Sequence, residues 1–102
     1  MPTMIVLVDL KDGVTPEEYE RWLAERYVPA VLELGSVGSW HGYRVDGLVE
    51  ADGEPPHEYV VSVEIKDLEH LGRDIESERM QTLLGELGGY AEVTQLMTER
   101  FV

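Results

Sequence analysis

The densest run of side chains able to do chemistry is Ser39-Trp40-His41-Gly42-Tyr43-Arg44. In an extended chain Ser39, His41 and Tyr43 project to one side while Trp40 and Arg44 project to the other, so only one set can face a given cavity. If the first set does, His41 is the general acid-base candidate, because an imidazole with an unperturbed pKa near ~6.5 both takes and gives protons at neutral pH. Tyr43 would then donate a hydrogen bond to a carbonyl or enolate oxygen. The plainer alternative is a half-exposed histidine beside a packed tyrosine. Glu64, sharing a face with Ser62, is the third catalytic candidate: inside a dry cavity its carboxyl would be raised and able to act as a base, and on a wet face it is a solvated charge. Ser39, Trp40, Ser62, Trp22 and Tyr27 are candidates for substrate contact, although Trp22 and Tyr27, at helical spacing, also suit a core. His57 follows a pair of prolines and is expected to be exposed.

Other chemistries find little support. There is no cysteine, which removes disulfides, thiolate metal sites and a cysteine nucleophile. The histidines at 41, 57 and 70 show no metal-binding spacing, and the carboxylates form no calcium loop. Gly85, Gly88 and Gly89 follow a helix rather than a strand, so no phosphate-binding loop is expected, and a serine nucleophile lacks its elbow motif. No cofactor is expected on these grounds. With 21 acidic against 8 basic residues and a net charge of −13, phosphate backbones and anionic membranes would be repelled. No apolar run approaches the ~20 residues of a bilayer span, and the N-terminus lacks the pattern of a secretion signal, so a cytoplasmic location is expected.

The elements that must position these residues follow from the pattern. At 102 residues the chain has the size of one domain, residues 1–102. Met4–Leu10 reads as a strand buried on both faces. Thr15-Pro16-Glu17-Glu18 is a helix start with a capping box, and Tyr19, Trp22, Leu23 and Tyr27 form the apolar face that follows. Pro29 predicts a break, then a short helical turn stopped at Gly35. Val37–Asp46 reads as a second strand, with Gly38 and Gly42 thinning one face or marking a bulge. Gly47–Pro56 is a loop, and His57–Ile65 alternates as a third strand with Tyr59, Val61, Val63 and Ile65 on its apolar side. Leu68 and Leu71 suggest a short turn, Ser77 opens an amphipathic helix closed at Gly88-Gly89, and Tyr90–Phe101 is a last strand.

The order strand, helix, strand, strand, helix, strand predicts an α+β fold of the ferredoxin-like βαββαβ type, with both helices on one face of a four-stranded antiparallel sheet. The other face then needs water or a partner. The small size favours a homodimer, sheet against sheet, with the Ser62 and Glu64 face walling a shared cavity.

The segments IVLVDLKDGVTPEEYERW, PPHEYVVSVEIKDLE, RDIESERMQ and TQLMTERF resemble the RedY/HapK-like family of the dimeric α+β barrel superfamily, over nearly the whole chain. The resemblance implies a place in bacterial pathways to prodiginine and indole- or pyrrole-derived products. Relatives include cofactor-free cyclases, EthD-like proteins and small monooxygenases. In that pattern the residue two before the helix-ending proline is often polar, commonly Asp, and His in EthD-like relatives. Here it is Tyr27, which offers a phenol but no carboxylate. Three functions are therefore in view: a cofactor-free enzyme promoting cyclisation, condensation or proton-transfer rearrangement of a small aromatic substrate; a cofactor-independent monooxygenase; and a carrier that shields a reactive intermediate without chemistry of its own.

Overall fold

Alternating apolar residues set the sheet. In the computed structural model, which describes residues 2–102, strands β1 (Thr3–Leu10), β2 (Val37–Arg44), β3 (Tyr59–Ile65) and β4 (Ala91–Thr98) form one antiparallel sheet in the order β2-β3-β1-β4. In β3 Tyr59, Val61, Val63 and Ile65 are buried while Val60, Ser62 and Glu64 are not, which is the period-two signature of a sheet covered on one side. The register carries the same alternation across the sheet. Met4 lies beside Val63, Val6 beside Val61 and Val8 beside Tyr59 on the covered side, whereas Thr3, Ile5 and Leu7 lie beside Glu64, Ser62 and Val60 on the bare side. The whole fold is the expected α+β, ferredoxin-like βαββαβ arrangement. Its shortest extent, 18 Å, is that of two layers.

The covering helices begin where their caps require. Helix α1 (Pro16–Trp22) has the full capping box: the Glu18 amide donates to the Thr15 hydroxyl and the Thr15 amide to the Glu18 carboxylate. The turn before it places Gly13 at φ +87°, a conformation that suits glycine. Pro29 does not break the helix. The chain widens into a π turn over Leu23–Tyr27, in which the Val28 amide donates to the Leu23 carbonyl, and α2 (Val28–Leu32) continues with Pro29 in its first turn. The missing proline amide is thus placed where a helix start tolerates it.

Other boundaries also differ from expectation. Leu68–Ile75 is a complete helix, α3, because the Asp67 carboxylate caps it at the His70 amide. Helix α4 (Glu78–Tyr90), capped by Ser77, runs through Gly88-Gly89 to Tyr90 instead of ending there. Leu87 and Tyr90 pack on the core and hold that last turn in place. β4 stops at Thr98 rather than Phe101, β2 at Arg44 rather than Asp46, and β3 starts at Tyr59 rather than His57. The expected bulge is present: the β2–β3 register shifts between Val37 and Ser39, around Gly38. β1 is buried on its helix side only; Ile5 and Leu7 on the other side remain half-exposed in the single chain.

Two clamps lock helices to one another and to the sheet. Glu86 of α4 accepts the Trp22 indole N–H at 2.8 Å and pairs with both ends of the Arg26 guanidinium at 2.6 Å. The Arg26 and Trp22 hydrogen bonds pull the Glu86 carboxyl down to about 2. Near the other end of α2, the fully buried Ser36 donates its hydroxyl to Asp74 of α3 at 2.6 Å, and that bond lowers the Asp74 pKa. The close approach explains Gly35, where a Cβ would stand 2.7 Å from the His70 ring.

Candidate functional site

The β2–β3 register decides which side each candidate takes. Ser39 lies across from Glu64, His41 across from Ser62 and Tyr43 across from Val60, so these residues share the bare face. His41 and Glu64 are exposed, Ser39 and Ser62 half-buried, and Tyr43 is 56% exposed. The structure therefore brings His41, Ser62, Ser39 and Glu64 side by side, but on a surface that the single chain leaves open. Trp40, beside Val63, and Arg44, beside Tyr59, take the helix side.

Within the single chain a space lies on that helix side, between sheet and helices, while the Ser62 and Glu64 face, expected to wall a cavity shared by two copies, stays open. It is a chamber of about 160 Å³ walled mainly by aliphatic side chains, among them Val6, Val61 and Val63 of the sheet and Leu23, Val31, Met80 and Leu87 of the helices. The apolar lining leaves few polar groups to orient a ligand: Tyr19 and Tyr27, with Gln95 entering from β4. Of the five tyrosines, only Tyr59 has its hydroxyl hydrogen-bonded among the described residues. The phenols of Tyr19 and Tyr27 thus have no hydrogen-bond partner among the described residues. Burial raises the pKa of both, and each phenol near the Tyr19 ring adds to the rise there, so both remain neutral donors at physiological pH.

Local structure explains why Tyr27 reaches the chamber. The π turn inserts one residue into the helical repeat, and such turns recur at functional sites because they re-aim side chains. Trp22 packs on Tyr27, with ring centroids 5.0 Å apart, and on Tyr90, also at 5.0 Å. Trp22 is therefore a support for the chamber wall and does not line it. Trp40 does line it.

A wider cleft of about 510 Å³ adjoins the chamber and opens at the edge strand β2. Its polar group is a network that sequence reasoning missed. Glu20 accepts the Tyr59 hydroxyl at 2.7 Å and the Arg44 guanidinium at 2.6 and 3.0 Å. The bonds from Arg44 and then Tyr59 hold the Glu20 carboxyl below the usual range, while burial, with help from Glu20, pushes the Tyr59 phenol up to about 12. Strand alternation placed Arg44 with Trp40, but its meeting with Glu20 depends on where α1 crosses the sheet, which the sequence pattern does not state. Tyr43 touches the rim of this cleft.

His57 is not simply exposed. Its Nδ1 lies 2.8 Å from Asp9, and its side chain is about one-third open. Among the described residues no three potential metal ligands converge, and no helix is long and apolar enough to cross a membrane.

A ferredoxin-like sheet with helical segments on one face and an apolar chamber between the layers defines a small α+β class of protein. Within that class the sequence matches the family described as REDY-like protein HapK over residues 2–101, and the chain belongs to that family. Among solved structures it is similar to HapK from Hahella chejuensis, with 24% identity, 99% of this chain and 93% of that chain covered, and a TM-score of 0.81. It is also similar to At3g17210 from Arabidopsis thaliana, at 16% identity, with 100% and 97% covered and a TM-score of 0.82. SnoaB from Streptomyces nogalater, described as a cofactor-independent oxygenase, shares 14% identity over 99% and 94% of the two chains, with a TM-score of 0.77. These likenesses are of fold. A search of curated protein sequences finds no match.

Proposed function

We propose that the protein is a cofactor-free enzyme of bacterial natural-product assembly that folds a small aromatic substrate in the chamber and promotes its cyclisation, condensation or proton-transfer rearrangement. One observation carries this reading: the chamber is apolar apart from Gln95 and the phenols of Tyr19 and Tyr27, which have no hydrogen-bond partner among the described residues. Apolar walls favour a flat, hydrophobic guest and select a compact conformation, and reacting atoms held close together supply much of the lowering of a cyclisation barrier. Tyr19 and Tyr27 then donate to a carbonyl oxygen and stabilise the negative charge that grows there in the transition state. The carboxylate bordering the cleft, Glu20, is held by Arg44 and Tyr59 and is a poor base. The site thus suits reactions driven by orientation and hydrogen-bond donation.

Acid-base roles for His41, Tyr43 and Glu64 require their face to be closed, and a second copy of the chain is the occupant that would close it. That face carries Ile5, Leu7, Val60 and Leu96 around the polar residues, a mixture suited to a homodimer. An oxygenase reading draws support from the fold shared with SnoaB.

The experiment is turnover of indole- and pyrrole-type pathway intermediates, with products identified by mass spectrometry and oxygen consumption followed in parallel with an oxygen electrode. Rearranged or cyclised product without oxygen consumption supports the proposal. Stoichiometric oxygen uptake supports the oxygenase, and binding without acceleration over buffer supports a carrier.

A further inference from the structure

The chamber and the cleft share four walls: Tyr19, Leu23, Trp40 and Val61. Tyr19 and Val61 are buried in the core and Leu23 belongs to the π turn. Trp40 differs. It is half-exposed on the edge strand β2, and its indole N–H has no partner among the described residues. Its position is set instead by Gly42, the next residue on the same side of the strand. A Cβ at Gly42 would stand 2.9 Å from Cζ3 and 3.0 Å from Cη2 of Trp40, so the indole lies back along the strand in the space that a side chain would fill. Gly42 does not have a positive φ, so conformational freedom does not explain a glycine here. A glycine inside a strand weakens it, and close approach of another group is the usual compensation.

The volumes give this arrangement a purpose. A chamber of about 160 Å³ matches a single benzene-sized ring. It is smaller than the usual site for a complete small-molecule ligand, ~300–1,000 Å³. The cleft, at about 510 Å³, is the larger compartment. Their polar groups are also separate: Tyr27 belongs to the chamber, Arg44 and Tyr59 to the cleft. Arg44 uses its Nε and one terminal nitrogen on Glu20, which leaves further N–H donors for an acceptor in the cleft.

We propose that Trp40, seated on Gly42, is a size-selecting partition, and that the ligand is a two-part aromatic molecule with one ring past Trp40 in the chamber and the second, acceptor-bearing part in the cleft beside Arg44. This rests on the chamber being the ligand site and adds the substrate class and the residues that select it. Trp40 contacts the ligand; Gly42 is a positioning residue that acts through Trp40.

Calorimetric titration with phenol and with 4-phenylphenol tests it, using wild type, Trp40→Ala, Gly42→Ala and the double variant, each checked for an intact fold by circular dichroism and urea unfolding. Wild type binds both probes. Trp40→Ala removes a chamber wall and weakens phenol by about tenfold or more, while 4-phenylphenol, which keeps its cleft contacts, changes by less than about threefold. Gly42→Ala shifts the same ratio in the same direction, and adding it to Trp40→Ala has no further effect. Equal losses for the two probes in Trp40→Ala, binding of phenol without 4-phenylphenol, or a Gly42→Ala effect that persists without Trp40 would each overturn the partition while leaving the ligand site in place. Failure of wild type to bind either probe would overturn both.

Discussion

Replacing Tyr27 with Phe removes one oxygen atom that no described group of the protein holds. Tyr59 provides the internal comparison, because its hydroxyl donates to Glu20 at 2.7 Å in a largely buried position. A net intramolecular hydrogen bond is worth about 1 kcal/mol, and more when the acceptor is ionised, but Glu20 is one-third exposed and water would partly replace the lost donor. Tyr59→Phe should therefore cost about 1–2 kcal/mol of folding stability. Tyr27→Phe should cost about zero, within ±0.5 kcal/mol, since the ring and its packing on Trp22 are retained. On a growing negative charge, in contrast, the Tyr27 donor should matter: loss of about 1.5–3 kcal/mol in the transition state lowers kcat/KM by about 10- to 150-fold. The assays are urea unfolding of wild type and both variants, with turnover measured on the same samples. If Tyr27→Phe destabilises as much as Tyr59→Phe and leaves turnover unchanged, the phenol belongs to the fold, and the argument that it is kept free for a ligand is wrong.

Further consequences can be measured without a substrate. Glu86 has its carboxyl held down to about 2 in the folded chain, below the usual range near 4.5, so its contribution to stability is full above about pH 4.5 and is lost as pH falls toward 2. Glu86→Gln should lower the urea midpoint at pH 7 and flatten its decline through that window; an unchanged acid limb would contradict the clamp. Gly13→Ala adds a Cβ that meets nothing within 4 Å but imposes a side chain at φ +87°, so it should destabilise by about 1–2 kcal/mol through backbone strain alone. A stability equal to wild type in chemical denaturation would rule out that strain. Leu96, 45% exposed on the bare sheet face across from Ile5, should lie in the proposed homodimer contact. Sedimentation velocity should show a dimer for wild type and a shift toward monomer for Leu96→Lys, whereas a monomeric wild type would remove the dimer from the account.

Much of the fold was legible because its signals are local. Thr15 and Glu18 specify a helix start through their own backbone contacts, and alternation in Tyr59–Ile65 assigns a covered and an open face without reference to any other segment. The misread boundaries have tertiary causes. Pro29 signals a break only if the turn before it is α-helical, and the π turn at Leu23–Tyr27 alters that condition. Gly88-Gly89 signals a stop only if nothing holds the next residue, and Tyr90 packs against Trp22. The site divides in the same way. Alternation grouped His41 with Tyr43 and Trp40 with Arg44, but which group meets an enclosed space depends on the helices lying over one side of the sheet. The aromatic residues Tyr27 and Trp40 were visible as candidates. The Glu20–Arg44–Tyr59 network joins three elements far apart in sequence and became visible only once they were packed together.

Methyl-selective NMR with phenol as the probe tests most directly whether the ligand site is the chamber between sheet and helices. Intermolecular contacts should appear from phenol to the methyl groups of Leu23, Val61, Val63 and Leu87, which wall the chamber. Contacts instead to Ile5, Leu7, Val60 and Leu96 would place the ligand on the open face with His41 and Glu64, and would contradict the account.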